Sequence, residues 1–300
     1  MSGSKLAYKG FVYIFFYVIA CAISNVFVNH TTRVVSPIVS LFYSSIFTIL
    51  FFSVLNLKEL SQNIKLIKEN KTSILILNFF NAVIWLVIFF SLKELSPAVF
   101  SCLFLGAIPI HIFLLELKNS KLSKKNYTIA TLLLIIFMLM LLLVFQDVEE
   151  NNYYQIIKYG ALVVVVGGIV GAFIMKISKT LAIKNMSASL VVSLRFYGLL
   201  LLSFLLLILN PSQFLVEPEV LGELFLLSLV SMALPLFLLQ KALKTISPLF
   251  ASIIITIIPV LTYFLQLMTG YYIFSLVKLS IIMLFALCLT VLAYVKTREQ

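Results

Sequence analysis

The feature that most constrains this chain is a succession of long apolar runs. A helix that crosses a bilayer needs roughly 20 mostly apolar residues. Because lipid offers the backbone no hydrogen bonds, runs of this length must be helical. The sequence therefore predicts an all-α membrane protein with ten transmembrane helices, here called spans 1 to 10. They cover residues 10–30, 36–55, 72–91, 97–115, 127–145, 159–178, 187–209, 220–240, 247–268 and 274–295.

Composition excludes a water-soluble fold. Hydrophobic residues make up 62% of the 300 residues and charged residues only 11%, against about 45–50% and about 25% in soluble domains. The three cysteines Cys21, Cys102 and Cys288 lie in apolar runs and have neither metal-ligand spacing nor the pattern of a disulfide framework. The first run follows MSGSKLAYKG without a small-residue cleavage site, so we expect a retained span and not a signal peptide.

The basic residues predict the orientation. With the N-terminus in the cytoplasm, 17 of the 22 basic residues fall on the cytoplasmic side, and three, Arg33, Lys93 and Lys158, fall outside. Cytoplasmic loops of membrane proteins carry this excess of lysine and arginine. We therefore expect both termini in the cytoplasm of a multi-pass protein of the cell (inner, cytoplasmic) membrane, with residues 146–157 outside. The net charge of +11 is then explained by the basic residues of the cytoplasmic loops, and nucleic acid is not an expected partner.

One phrase occurs twice. LKELSPAVFSCLFLGAIP begins at Leu92, and LKTISPLFASIIITIIP begins at Leu243. The phrases lead into spans 4 and 9, which divides the chain into residues 1–150 and 151–300 with five spans each. Because five is odd, the second half enters the membrane from the opposite side. Such an inverted repeat is typical of secondary transporters, whose substrate site lies near the midplane.

These features give the sequence a resemblance to the drug/metabolite transporter superfamily, in its ten-helix form with two EamA-type domains. The resemblance covers essentially the whole chain and rests on LKELSP and LKTISP, on Pro109 and Pro259 inside spans 4 and 9, and on Arg195 in SLRFYGLLLL. The first half has Phe42 in place of the arginine, and the acidic residue that the family often carries after spans 4 and 9 is not evident. The resemblance implies a small-solute transporter and names no solute.

Polar residues on one face of a spanning helix indicate a lining face, because they are costly against lipid. Span 9 carries such a face at steps of four and three residues: Ser252, Thr256, Pro259, Tyr263 and Gln266. The corresponding face of span 4 is smaller: Cys102, Gly106, Pro109, Phe113 and Glu116. Helix–helix contact uses similar residues and is the alternative. We expect the two prolines to kink their helices as paired hinges.

Three further spans carry candidate substrate-binding residues: Tyr17, Ser24 and Asn25 in span 1, Asn78, Asn81 and Trp85 in span 3, and Ser228 and Ser231 in span 8. Trp85 is the only tryptophan and lies mid-span, away from the interfaces where tryptophan is enriched. Interhelical amide bonds are the alternative role for the asparagines. In span 6, Gly167 and Gly171 predict close helix contact.

Three ionisable residues are candidates for coupling or gating. Arg195 is expected roughly 12 Å into span 7, either bonding backbone carbonyls or binding substrate. His111 is a candidate proton relay, although it points off the polar face of span 4. Glu116 shares that face but lies near its cytoplasmic end, where pairing with lysines is the alternative.

Together these observations predict a secondary transporter that moves a small organic metabolite by alternating access. No acidic residue lies deep in a predicted span, so the expected solute is neutral, zwitterionic or weakly anionic, such as an amino acid or a nucleoside-like compound. A channel or a scaffold is the alternative. The sequence has no HExxH, G-x-S-x-G or nucleotide-binding loop, so no enzyme, metal site or cofactor is expected. The expected partners are the solute and the lipid bilayer, and a homodimer is left open.

Overall fold

The computed structural model of the protein describes residues 2–117, 124–151, 154–209, 214 and 216–297. Every regular element in these residues is helical. The fifteen α-helices of the described ranges are α1 Ser2–Val34, α2 Pro37–Leu55, α3 Leu57–Gln62, α4 Ile64–Glu69, α5 Lys71–Glu94, α6 Pro97–Leu117, α7 Lys124–Asn151, α8 Tyr154–Ile183, α9 Ala188–Ser193, α10 Tyr197–Ile208, α11 Pro218–Leu227, α12 Leu234–Leu243, α13 Pro248–Ile255, α14 Ile258–Leu267 and α15 Leu276–Thr297.

Six helical stretches of the described residues are long and apolar enough to cross a membrane, by length and composition: Tyr8–Val34, Pro37–Leu55, Lys71–Glu94, Gly160–Ile183, Ala188–Ile208 and Pro218–Leu243. Four shorter apolar helices accompany them: Pro97–Ile108, Ile135–Gln146, Ile253–Leu267 and Leu276–Val291. The prediction of an α-helical, multi-pass membrane protein is confirmed at this level.

The outer surface suits lipid. Helix α1 exposes Phe11, Phe15 and Phe16 by about half of their surface, while Ile14 and Val18 on its other side are buried. A soluble monomer rarely exposes large contiguous apolar patches. The apolar outer face of α1 is therefore a lipid-facing surface.

Three of the predicted spans are not continuous α-helices, which corrects the sequence expectation. Span 7 breaks at residues 194–196, between α9 and α10. Span 8 contains a π-helical turn, Ser228–Ala233, between α11 and α12. Span 9 breaks at residues 256–257, just before Pro259. Helix α6 continues through Pro109 without a break, so the two prolines occupy different backbone settings.

The connections also differ from the expectation. Two short helices, α3 and α4, fill the predicted loop between spans 2 and 3, because three asparagines end successive helices there. The side-chain amides of Asn56, Asn63 and Asn70 each donate to the carbonyl four residues earlier, at 2.7–2.9 Å. Helix α7 continues to Asn151 and α8 begins at Tyr154, so most of the predicted external segment 146–157 is helical.

Helices α1 and α8 make the most extensive contacts with other helices among the described residues. Helix α1 packs against α12 and α14, and α8 packs against α5 and α6. Other extensive contacts join α2 with α10, α7 with α15, and α6 with α14.

The contact of α8 with α5 and α6 depends on glycine. A Cβ on Gly168 would collide with the carbonyl oxygen of Phe104 and lie 2.6 Å from Cβ of Ala107, and one on Gly167 would lie 2.7 Å from Cγ1 of Val87. Gly171 is in ordinary contact only, 3.4 Å from Ile108. The predicted glycine contact is therefore confirmed at Gly167, and Gly168 has a tighter one that the sequence reading missed.

Side chains tie down the two loops that carry the repeated phrase. Before α6, Asn29 Nδ2 donates to the carbonyl oxygens of Leu92 at 2.5 Å and Leu95 at 3.5 Å. Before α13, Lys179 Nζ donates to the carbonyl oxygen of Ile246 at 3.0 Å. Gly10, at the start of α1, also lies against Ile246. Because Gly10 and Asn29 are about 28 Å apart along α1, the two ties are at opposite ends of the bundle.

Candidate functional site

A cavity of about 100 Å³ lies between α1, α5, α6, α8, α12, α13 and the break in span 7. Its polar lining residues are Tyr17, Cys21, Ser24, Asn25, Asn81, Arg195 and Ser231. Its apolar and aromatic lining includes Ile84, Trp85, Ile88, Phe100, Phe104, Leu105, Ile108, Ile174, Met175, Pro235, Leu236, Leu239 and Ile255, with Gly171. The polar groups come from helices that are far apart in the sequence.

The break in span 7 is held by two asparagines one turn apart on α5. Asn78 Nδ2 donates to the carbonyl oxygen of Leu194 at 2.6 Å, and Asn78 Oδ1 accepts from the backbone N–H of Gly198 at 2.9 Å. Asn81 Nδ2 donates to the carbonyl oxygen of Arg195 at 3.0 Å. A break inside a membrane helix leaves backbone groups without helical partners, and these side chains satisfy them.

Gly198 lets the helices approach closely enough for these bonds. A Cβ added there would lie 3.0 Å from the carbonyl oxygen of Asn78. Both asparagines therefore make the interhelical amide bonds that were the alternative to cavity lining. Asn81 also lines the cavity, whereas Asn78 does not.

Arg195 is buried beside the cavity, with only 3% of its surface exposed. Its Nε donates to Asn81 Oδ1 at 2.9 Å. Within the described ranges this is its one side-chain hydrogen bond, and it forms no ion pair with an acidic side chain there. The expected bonds from its guanidinium to backbone carbonyls are not found among these residues; the carbonyl of Arg195 is instead an acceptor. Arginine keeps its positive charge in proteins.

The π-helical turn positions Ser231. A π-helical turn adds a residue to the α-helical repeat and is frequent at functional sites. Ser228 Oγ donates to the carbonyl of Phe225 at 2.7 Å and does not line the cavity. Ser231 does line it, and its buried Oγ has no hydrogen-bond partner among the described residues. The regular spacing that grouped the two serines on one face is therefore altered by this turn.

Aromatic rings form one wall of the cavity. The rings of Phe100 and Phe104 stack at a centroid distance of 5.4 Å. The Trp85 ring lies 5.8 Å from that of Phe89 and 6.2 Å from that of Phe196, next to Arg195. The cavity therefore has a cationic, hydroxyl and amide side and a large apolar side.

Several predicted site residues lie elsewhere. The described side chains that do not line the cavity are Asn78, His111, Ser228, Thr256, Pro259, Tyr263 and Gln266. The side chains of Pro109, Glu116 and Ser252 lie outside the described part of the structure. Those that it brings together are Tyr17, Ser24, Asn25, Asn81, Trp85, Arg195 and Ser231.

The described polar side chains predicted to form one face of span 9 bond other groups of the protein and do not line the cavity. The break at residues 256–257 divides this face into two parts. Thr256 Oγ1 donates to the carbonyl of Ile253 at 2.6 Å. The Tyr263 hydroxyl bonds Ser275, and Gln266 Oε1 accepts from the backbone N–H of Ala98 at 2.9 Å. Ile255 is the lining residue that α13 contributes. A regular helical projection could not anticipate this break.

His111 packs its ring 4.8 Å from that of Phe173, away from the cavity. Its buried Nε2 has no hydrogen-bond partner among the described residues. The position off the polar face agrees with the sequence expectation, and no chain of polar groups in the described structure joins it to Arg195.

A polar network lies at the end of the bundle that carries the α5–α6 loop. Asn25 Nδ2 donates to Ser101 Oγ at 2.9 Å. Nearer the surface, the Tyr272 hydroxyl donates to Asn29 Oδ1 at 2.9 Å and accepts from Arg33 at 2.8 Å. The network joins α1 and α6 and ties α1 to the segment between α14 and α15.

Sequence reasoning missed the apolar lining of the cavity. Apolar residues such as Ile84, Phe100 and Ile174 fill every predicted span, so composition carries no signal for those that face a cavity. Cys21 also lines the cavity and is not among the residues that the sequence predicts to bind substrate. Cys21 lies four residues after Tyr17, on the same helical face, and this spacing could have identified it as a lining residue.

Comparison with known proteins gives the fold alone. No family model matches the sequence, and no curated protein matches it. Eleven chains among solved structures match it. One crystal structure of a protein superposes with a TM-score of 0.65 at 17% sequence identity, over 99% of this chain and 98% of the other. At this identity the likeness establishes a fold shared along nearly the full length of both chains.

Proposed function

We propose that the protein is a secondary transporter that spans the membrane ten times as two inverted five-helix halves, residues 1–150 and 151–300. In this proposal it carries a small organic solute by alternating access, as the resemblance to the ten-helix EamA-type transporters implies. The observation that carries the proposal is the cavity with a buried cation, lined by helices of both halves.

The helix contacts support the two-fold relation of the halves. A two-fold relation between the halves assigns each helix of the first half a counterpart in the second half. The counterparts are α8 for α1, α9–α10 for α2, α11–α12 for α5, α13–α14 for α6, and α15 for α7. The α1–α12 contact then becomes the α8–α5 contact, and α1 with α13–α14 becomes α8 with α6. The pairs α2–α10, α6–α14 and α7–α15 map onto themselves.

The tied loops support the same relation. Asn29 and Lys179 are 150 residues apart, and both bond backbone carbonyls of the repeated phrase: Leu92 and, more distantly, Leu95 in the first copy and Ile246 in the second. The ties close opposite ends of the bundle. Alternating access requires one closure at each end, opened in turn around a fixed central site.

The cavity volume limits the solute in this conformation. A volume of about 100 Å³ is of the same order as the roughly 150 Å³ of an apolar cavity that holds benzene. The conformation therefore favours a solute of the size of a small amino acid over a nucleoside.

Counterflow in proteoliposomes tests the proposal. Vesicles loaded with one unlabelled candidate solute at high concentration should accumulate the labelled form transiently, because a carrier exchanges solute across the membrane. A channel would give flux that unlabelled solute inside does not accelerate, and a scaffold would give none. Absence of counterflow for every small organic acid, amino acid and amide tested would overturn the proposal.

A further inference from the structure

We infer that the cavity binds a small monocarboxylate with an apolar body, its carboxylate on the guanidinium of Arg195. This inference deepens the proposed transport function and rests on it for its biological role. The binding step itself is independent of transport and can be measured alone.

The first observation is an uncompensated buried cation. Arg195 is 97% buried, lines the cavity and forms no ion pair with an acidic side chain of the described structure. Leaving a charge buried without a partner costs several kcal/mol. An anionic ligand in the cavity would remove that cost, whereas a neutral or cationic ligand would leave it or add to it.

The second observation is the set of donors that remain. A guanidinium carries five N–H donors in a planar fork. Among the described residues, only Nε is engaged, by Asn81 Oδ1. This bond fixes the plane of the guanidinium and leaves its other N–H groups for a ligand. A carboxylate accepts two parallel bonds from such a fork, and this pairing is among the strong hydrogen bonds of proteins.

The third observation is independent of the arginine. Ser231 comes from the π-helical turn of span 8, in a separate segment of the chain, and lines the same cavity. Its Oγ is buried and has no partner among the described residues. Buried polar groups are normally hydrogen-bonded. A ligand oxygen would supply the missing partner of this hydroxyl.

The remaining lining determines the rest of the ligand. None of the residues found lining the cavity is acidic, so an ammonium group would be desolvated there without a charged partner. The wall of Ile84, Ile88, Phe100 and Phe104 instead fits a short branched or cyclic hydrocarbon. The small volume restricts the whole molecule to a short acid, for which about five carbons is the upper size.

Trp85 makes the test direct, since it is the only tryptophan and lines the cavity. Purified protein in detergent at pH 7.5 is titrated with 3-methylbutanoate, with 3-methylbutanamide of the same shape, and with 3-methylbutylamine. Tryptophan emission and the shift of the melting temperature are both recorded. We expect a saturable response to the carboxylate, with the amide and the amine at least about tenfold weaker, because charge-assisted bonds are about twice as strong as neutral ones.

Three variants localise the response. Ser231→Ala removes a hydroxyl that has no partner among the described residues, so it should fold normally and weaken carboxylate binding by about threefold to tenfold. Arg195→Gln should abolish the preference for carboxylate over amide. Lys65→Gln changes an exposed lysine of α4 that does not line the cavity and should leave carboxylate affinity unchanged.

Equal affinity for the amide and the carboxylate in the wild-type protein would overturn the inference, and so would no response to 3-methylbutanoate at 50 mM. These results need no variant, so misfolding of Arg195→Gln cannot obscure them. Carboxylate binding without counterflow of any solute would instead overturn the transport proposal alone. Counterflow of a neutral or cationic solute, without carboxylate binding, would overturn this inference alone.

Discussion

Asn81 and Arg195 bond each other twice. Asn81 Oδ1 accepts from Arg195 Nε at 2.9 Å, and Asn81 Nδ2 donates to the carbonyl oxygen of Arg195 at 3.0 Å. One side chain on α5 therefore orients the guanidinium beside the cavity and also satisfies the backbone of the break that carries it. The shape of the site depends on the break being held open.

Alanine substitutions of Asn78 and Asn81 should differ in their effects on stability and ligand affinity. Asn78→Ala removes two bonds that hold the break but no lining group, so we expect a lower melting temperature with ligand affinity per folded molecule nearly unchanged. Interhelical bonds of this kind contribute about 0.6 kcal/mol on average and up to about 1.7 kcal/mol. Asn81→Ala should lower both stability and affinity. Thermal unfolding and tryptophan titration in detergent measure the two quantities.

Asn63→Ala is the matched control, because Asn63 Nδ2 donates only within its own turn, to the carbonyl of Glu59. It should change neither readout appreciably. If Asn78→Ala abolished binding while its melting temperature stayed at the wild-type value, the assignment of Asn78 to the break alone would be wrong.

The two loop ties should act as opposite gates. Asn29→Ala should loosen the end that carries Leu95, and Lys179→Ala should loosen the end that carries Ile246. Cys21 lines the cavity, so it reports access once Cys102 and Cys288 are replaced by alanine. A membrane-impermeant thiol reagent should then label Cys21 faster from one side in the first variant and from the other side in the second. Faster labelling from the same side in both variants would contradict the paired-gate proposal.

The proposed topology makes a separate prediction. Single cysteines at Ser61, in the α3–α4 segment, and at Ile273, which is 92% exposed before α15, should react from opposite faces of the membrane. The positive-inside rule places Ser61 in the cytoplasm. Labelling is measured in intact cells and in permeabilised cells, in a background without the native cysteines. Reaction of both positions from outside intact cells would overturn the ten-span arrangement.

The class of fold was readable from the sequence because apolar run length is a direct consequence of bilayer thickness. Much of the polar lining was also predictable: Tyr17, Ser24, Asn25, Asn81 and Ser231 all lie at the cavity. What the sequence could not place were the breaks. Helical projection assumes a uniform repeat, and span 9 departs from it at residues 256–257. The polar face beyond that point, with Tyr263 and Gln266, serves contacts inside the protein.

Gly168 should be the least replaceable glycine of α8. Gly168→Ala would press a methyl group against the backbone of Phe104, and overpacking of this kind typically costs about 1–3 kcal/mol. We expect a clear fall in melting temperature and reduced yield. Gly160→Ala, on the same helix with nothing within 4 Å of the added Cβ, is the control and should be neutral. Equal melting temperatures for the two variants would show that α6 and α8 can separate without loss.

The two prolines of the repeated phrase offer the last test, because the structure gives them different backbones. Pro259 is the second residue of α14, directly after the break that ends α13, whereas α6 continues through Pro109. Proline removes the N–H that would bond the carbonyl four residues earlier, here those of Leu105 and Ile255. Ile255 lines the cavity and is next to the break, so Pro259→Ala would let span 9 close into a continuous helix.

We therefore expect Pro259→Ala to slow counterflow by about tenfold or more while 3-methylbutanoate affinity, measured by Trp85 fluorescence, falls less. The reason is that a hinge limits the rate of conformational exchange and contributes little to binding. Pro109→Ala is the paired control in the other half. Because α6 is already unbroken there, its effect on counterflow should be smaller. Equal slowing of counterflow by both variants would contradict this expected difference and would support the symmetric pair of hinges that the repeated phrase predicts. Wild-type rates in both would instead leave the prolines as shared sequence features without a role in the transport cycle.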